Sequence, residues 1–251
     1  MPADPRRLQD LTFDGFKDLA RDPRLTWHEK IGFPDTYREG KTEAILRDIR
    51  SKLPHLDGTG KVIVDIGPGC GEVAFQLIDH CRARSHRLVL VDSEEMLSHL
   101  PDAPFITKVT GRFPDACRAG LSAYEHSVDA IVAYSVVQYV FAEANVFDFV
   151  DSALGLLAEG GALLVGDVPN VSKRNRFFAS AAGVRFHQAF TGRSDVPEVA
   201  FSGLTPGVID DAAIMGLVLR GRTAGFDAYL LPQAVDAPME NRREDLLFRR
   251  P

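Results

Sequence analysis

The sequence predicts an α/β fold, a doubly wound and mostly parallel sheet with helices on both faces. Three observations lead there. Short apolar runs at 61–66, 87–92, 128–134 and 162–167 read as strands buried on both sides. A helical stripe, clearest at Val146, Phe149, Val150, Ala153, Leu156 and Leu157, separates two of them and stops at Gly160 and Gly161. The first strand runs straight into glycines at 67, 69 and 71, where main-chain N–H groups can approach a ligand that a Cβ would hold away.

Further along, Val208, Ala212, Met215 and Leu219 trace a helix that stops around Ala224 and Gly225. Runs at 226–231 and 245–248 follow, joined by a loop that carries Pro232 and Pro238, which predicts an antiparallel pair. Ahead of the first strand, Leu8, Leu11, Phe16 and Leu19 mark one helix and Thr42, Ile45, Leu46, Ile49 and Leu53 a second.

Composition bounds the answer. At 251 residues and 45% hydrophobic, the chain has room for one substantial core and an N-terminal appendage, but not for a second full domain. The expected division is a helical cover over 1–57 and a ligand-binding domain over 58–251. No apolar run approaches the ~18 residues of a membrane span, and the start lacks the apolar core of a signal peptide, so the expected location is the cytoplasm. Three cysteines without Cys-x-x-Cys spacing predict neither a disulfide framework nor a zinc site, and no metal is expected.

The glycine turn reads Asp65-Ile-Gly67-Pro68-Gly69-Cys-Gly71-Glu72. A dinucleotide fingerprint wants glycine where Glu72 stands, and an acid there would repel a pyrophosphate. The Asp-x-Gly-x-Gly-x-Gly spacing resembles the first motif of the S-adenosylmethionine-dependent methyltransferases with a Rossmann-like sheet. Further points of resemblance are the helix that ends in Glu159-Gly160-Gly161 before a strand and the two late strands. The resemblance covers roughly 58–251 and implies a seven-stranded sheet, mostly parallel, with an antiparallel C-terminal strand. It also implies S-adenosylmethionine as cofactor, held by Asp65, Gly67, Pro68, Gly69, Gly71, Asp92, Ser93, Arg112, Phe113, Ser135 and Gln138.

Asp92 closes the second apolar run, 21 residues past Gly71, where a carboxylate can accept hydrogen bonds from both hydroxyls of a ribose. The same residue opens Asp-Ser-Glu-Glu, a good helix start, and both roles are compatible. In the N-terminal cover, Trp27, Phe33, Tyr37 and Arg38 fall in an aromatic, charged stretch of the kind that closes over a pocket.

Charge asymmetry gives the reading of substrate. The chain carries −6 overall, yet 168–194 holds no Asp or Glu and contains Lys173, Arg174, Arg176, Arg185 and Arg193. Guanidinium groups bind phosphate or carboxylate in a forked geometry, so a small anionic acceptor is expected, contacted by Tyr37, Arg38, Lys173, Arg174 and Arg176. A phosphorylated metabolite or nucleotide-linked sugar would fit, as in glycan or natural-product tailoring. Phe177, Phe178, Phe186 and Phe190 beside these cations leave RNA methylation as an alternative, and a non-catalytic cofactor-binding domain as another. The global acid excess opposes nucleic acid. If the acceptor is a hydroxyl, His187, Tyr139 and Asp167 are the candidate bases. An NAD-dependent oxidoreductase is disfavoured by Glu72 and by the lack of a Tyr-x-x-x-Lys pair.

Overall fold

A computed structural model describes residues 11–201 and 207–251 of the chain. Leu8, part of the first expected helical stripe, lies outside the described residues. Among the described residues, four α-helices precede the sheet: α1 (Phe13–Arg21), α2 (Trp27–Lys30), α3 (Asp35–Arg38) and α4 (Thr42–Lys52). Their starts are chemically marked. The Thr12 hydroxyl accepts from the Gly15 N–H at 3.0 Å, and Thr26 and Glu29 cap each other's backbone in a reciprocal box at the head of α2.

Seven strands follow: β1 (Val62–Ile66), β2 (Arg87–Asp92), β3 (Ile106–Thr110), β4 (Val128–Tyr134), β5 (Leu157–Pro169), β6 (Asp227–Leu231) and β7 (Arg243–Arg249). They lie side by side in the order β3-β2-β1-β4-β5-β7-β6. All neighbouring pairs from β3 to β5 are parallel, while β7 runs antiparallel to both β5 and β6. The chain reverses its direction of travel across the sheet between β1 and β4, which opens a crevice at their carboxyl ends.

Alternation along the strands sorts the core into two layers. Val64, Ile66, Val89, Val91, Ile131, Leu163, Val165, Leu246 and Phe248 face one layer. That side is covered by α9 (Val146–Leu156) and α12 (Asp211–Thr223). Ile63, Leu88, Leu90, Ala130, Val132, Leu164 and Leu247 face the other, covered by α4 and α5 (Glu72–Ala83). Burial on both faces is why these strands read as unbroken apolar runs.

Three details differ from the sequence expectation. The edge strand β3 carries Lys108 and only a faint alternation, so no apolar run announces it. Helix α9 ends at Leu156 and β5 begins at once, with Gly160 and Gly161 inside the strand. A Cβ on Gly161 would stand 2.7 Å from the Val128 carbonyl oxygen, so glycine there serves close strand approach. In α12 the buried face is Ile214, Leu217, Val218 and Gly221, whereas Met215 and Leu219 of the expected stripe are exposed. The helix is apolar on both sides, and periodicity alone picked the wrong one.

Phe248 locks α12 to the sheet, since its ring would lie 2.5 Å from a Cβ on Gly221. Phe248→Ala is expected to cost about 3–5 kcal/mol, read as a lowered midpoint in urea at unchanged slope.

Candidate functional site

At the carboxyl ends of β1 and β4 lies a cavity of about 160 Å³. Its floor is the glycine turn with Asp65 and Asp92, and its side is formed by Gly111, Arg112 and Phe113 after β3. Tyr134, Ser135 and Val136 close the β4 end. The roof comes from the N-terminal helices through Phe13, Phe16, Ile31, Phe33 and Arg38, together with Tyr139, Val140 and Glu143 of α8 (Val137–Glu143).

The glycines are shaped by what presses on them. Gly67 and Gly69 have positive φ, 72° and 62°. A Cβ on Gly69 would meet Ile31 Cγ2 at 2.6 Å, one on Gly71 would meet Ile31 Cδ1 at 2.7 Å, and one on Gly67 would meet Val136 Cγ2 at 2.6 Å. Glycine is therefore required for both conformation and space. Ile31 places an apolar side chain on the turn and so leaves no polar seat for a pyrophosphate. Glu72, the expected repellent of phosphate, is turned aside and accepts from the Thr42 hydroxyl at 2.6 Å, tying α5 to α4.

Two carboxyls face the cavity in unusual states. Burial, with Asp92 close by, pushes Asp65 up to about 8. Asp92 is pushed up to about 6 by its own burial, although the N–H groups of Ser93 and Gly69 donate to it at 2.7 and 3.0 Å and favour its charge. Among the described residues none donates a hydrogen bond to the Asp65 carboxyl. A cationic group arriving beside it would restore its charge.

Glu143 was not legible in the sequence. One of its oxygens accepts from the Phe13 N–H at 3.3 Å and lies 3.3 Å from the Arg112 guanidinium. The other, Oε1, is buried without a donor. An orphaned acceptor in a cavity wall asks for a ligand N–H or O–H.

The expected site residues divide. Asp65, Gly67, Pro68, Gly69, Asp92, Arg112, Phe113, Ser135, Arg38 and Tyr139 line the cavity. Gly71 sits beneath Ile31 at the start of α5. Ser93 caps the short helix α6 (Glu94–Leu97), accepting from Met96 N–H, and Gln138 donates to the Ser135 carbonyl at 2.8 Å; neither reaches the wall.

None of the three candidate bases is a free base at the cavity. Asp167, at the tip of β5, is fully buried and accepts from Arg38 at 2.9 Å, from Arg243 at 3.2 Å and from the Ser135 hydroxyl. Tyr139 does line the cavity, but burial raises its pKa and keeps it a phenol. His187 lies on α11 (Ala181–Thr191), 3.5 Å from Asp195 and outside the wall.

The cationic window also resolves differently. Arg176 pairs with Asp211, Arg193 with Asp195, and Lys173 donates to the Arg243 carbonyl at 2.7 Å with Glu244 at 4.0 Å. Acids from outside the window supply the counter-charges. Lys173, Arg174, Arg176 and Tyr37 are absent from the cavity wall, and Arg38 is there but committed to Asp167. Trp27 stands away from it too, its ring against Phe75 and His99.

Asp167→Ala would leave Arg38 and Arg243 without their shared carboxylate. A loss of about 3–5 kcal/mol in stability is expected from breaking a buried pair this way, measured by chemical denaturation.

No protein-family model and no curated protein sequence matches the chain. Solved structures do. The plantazolicin methyltransferase BpumL, solved with a monoazolic desmethylPZN analog and SAH, superposes at a TM-score of 0.56 with 12% identity, over 98% of this chain and 98% of that one. The N-methyltransferase NodS from Bradyrhizobium japonicum WM9, in complex with S-adenosyl-l-homocysteine, gives 0.54 at 15% identity over 96% and 100%. The CurJ carbon methyltransferase gives 0.54 at 16% over 86% of this chain, which spans 57% of that one. The fold of this chain is the Rossmann-like, seven-stranded fold of these methyltransferases.

Proposed function

We propose that this chain is an S-adenosylmethionine-dependent methyltransferase acting on a small anionic acceptor. The observation that carries the cofactor is the pairing of Asp65, near-neutral for want of a cation, with a glycine turn roofed by Ile31. A dinucleotide needs room for phosphate at that turn. A sulfonium nucleoside with an amino-acid arm brings a cation.

The residues fit the parts of such a ligand. Asp65 would answer the ammonium, Asp92 the ribose hydroxyls, and Glu143 Oε1 an exocyclic amino group of the base, with Phe113 and Val136 as apolar walls. When bound, the cofactor supplies a methyl group made electrophilic by its sulfonium. The chain's own task is then to hold an acceptor atom in line and keep water out, which Phe16, Phe33 and Tyr139 serve as roof. Tyr139, kept protonated, can donate a hydrogen bond but not take a proton. With no uncommitted base identified among the expected residues, a nitrogen nucleophile is favoured over a hydroxyl. The likeness to the N-methyltransferase NodS and the plantazolicin methyltransferase BpumL supports methyl transfer. The Arg174 guanidinium of α10 (Val171–Phe178) and that of Arg242, both without a carboxylate partner among the described residues, support an acidic acceptor, and the chain's −6 charge speaks against a nucleic acid.

Two measurements test this. Calorimetric titration with S-adenosylhomocysteine should show saturable binding that Asp92→Ala weakens at least about tenfold, through loss of a charge-assisted pair of hydrogen bonds. NADH should not compete. No binding to the wild-type protein would overturn the proposal.

Asp65 makes a second, independent mark. Pushed up to about 8, the Asp65 carboxyl is largely protonated at pH 7 in the free protein, and a ligand ammonium beside it would expel that proton. Titrations in buffers of different ionisation enthalpy should report release of close to one proton, absent in Asp65→Asn. The sign for stability follows. Because the folded-state pKa lies above the unfolded one, the carboxyl's stabilising contribution is full below the unfolded value of 3.8 and is lost as pH rises towards 8. The melting temperature of ligand-free Asp65→Asn should therefore gain on wild type between pH 5 and 8.

A further inference from the structure

Arg242 closes the short 3-10 turn that precedes β7, and that turn packs against α10. Its guanidinium carbon stands 5.6 Å from the Phe186 ring centre and 6.0 Å from that of Phe178. Arg174 of α10 lies 4.9 Å from the same Phe178 ring. Two acids close to these cations already hold other partners. Asp211 holds Arg176 and Asn170, and Glu244 holds Asn170 and faces Lys173. Among the described residues neither Arg174 nor Arg242 has a carboxylate partner.

That arrangement is electrostatically incomplete. Burial, and less strongly the neighbouring charges of Arg243 and Arg174, act against the Arg242 cation, while Tyr37 favours it. Two phenylalanine rings within 6.0 Å give the guanidinium cation–π contacts, yet rings cannot supply the forked acceptor it is shaped for. Like charges gathered on a half-buried aromatic floor, with Asp211 and Glu244 committed to other partners, are a setting in which an oxyanion binds.

The position is adjacent to the cavity. Arg243, next in sequence, has its guanidinium 5.8 Å from the Phe33 ring, and Arg38 lies 4.0 Å from the same ring. Phe33 and Arg38 belong to the cavity roof, and Tyr37 precedes Arg38. We propose that Arg242 and Arg174, on the Phe178 and Phe186 floor, form an oxyanion site that holds a phosphate or carboxylate group beside the cavity. Tyr37 stands at its edge. That the oxyanion belongs to the methyl acceptor rests on the methyltransferase reading above, while the site itself does not.

The test is titration of the full chain with pyrophosphate, inorganic phosphate and malonate at constant ionic strength. Wild type, Arg242→Gln, Arg174→Gln, Arg176→Gln and Arg185→Gln are compared, each first checked by thermal melting. Saturable binding weakened about tenfold by Arg242→Gln and several-fold by Arg174→Gln, and untouched in the other two, is the expected result. Arg174 is exposed on α10, so that variant remains informative even if Arg242→Gln unfolds. Preference for the phosphates assigns a phosphorylated ligand, and preference for malonate a carboxylate; either supports the site. Absence of saturable binding, or equal weakening in all four variants, overturns it. S-adenosylhomocysteine titrated into the same proteins keeps the two ideas apart. Its failure to bind wild type sinks the cofactor reading and leaves the oxyanion result standing.

Discussion

The buried carboxylate of Asp167 is the point on which the surrounding architecture depends. It sits at the tip of β5 with φ +58°, and receives Arg38 from the N-terminal helices, Arg243 from β7 and the Ser135 hydroxyl from the tip of β4. Its own backbone N–H donates to Asp245 at 2.8 Å, and Asp245 in turn binds Lys52, which also reaches Asp48. Ser135 has positive φ as well. Strained backbone at two adjacent strand tips persists because crossing hydrogen bonds over-determine it. The network ties the N-terminal helices to the ends of β4, β5 and β7.

That constraint shapes the cavity chemistry by subtraction. Arg38 enters the wall with its charge already answered, and Asp167 is removed from the list of bases by the donors it serves. The carboxyl groups left for a ligand are Asp65, Asp92 and the free oxygen of Glu143, beside the Tyr139 phenol. Cations for a ligand are found one layer out, at Arg242 and Arg174. Separation of acceptors inside from cations outside gives one molecule with a cationic arm and another with an acidic group distinct places to bind.

Much of the floor of this site was legible from local pattern. The glycine turn, Asp65, Asp92 and Ser135 stand at strand ends, and strand ends converge on one edge of any doubly wound sheet. Arg112 and Phe113 came from resemblance and do line the cavity. The roof was harder. Phe33 and Arg38 were visible as part of an aromatic, charged stretch, but Ile31 looks like any core isoleucine until it is found pressing on Gly69. Glu143 sits on a helix of no special pattern, and Arg242 lies far outside the basic window that drew attention to Arg176 and Lys173. Helix α12 teaches the same lesson for packing, since two apolar stripes left its buried side open.

By itself the sequence determined the alternating strands and helices, the glycine turn after β1 and the antiparallel return at the end of the sheet. These are local: period, glycine conformation and connection length act within a few residues of one another. Tertiary structure alone decided which charges are spent and which remain. A carboxylate and a guanidinium more than a hundred residues apart, such as Asp167 and Arg38, have no sequence signature of pairing, and their partnership is set by how the sheet brings strand tips under the N-terminal helices.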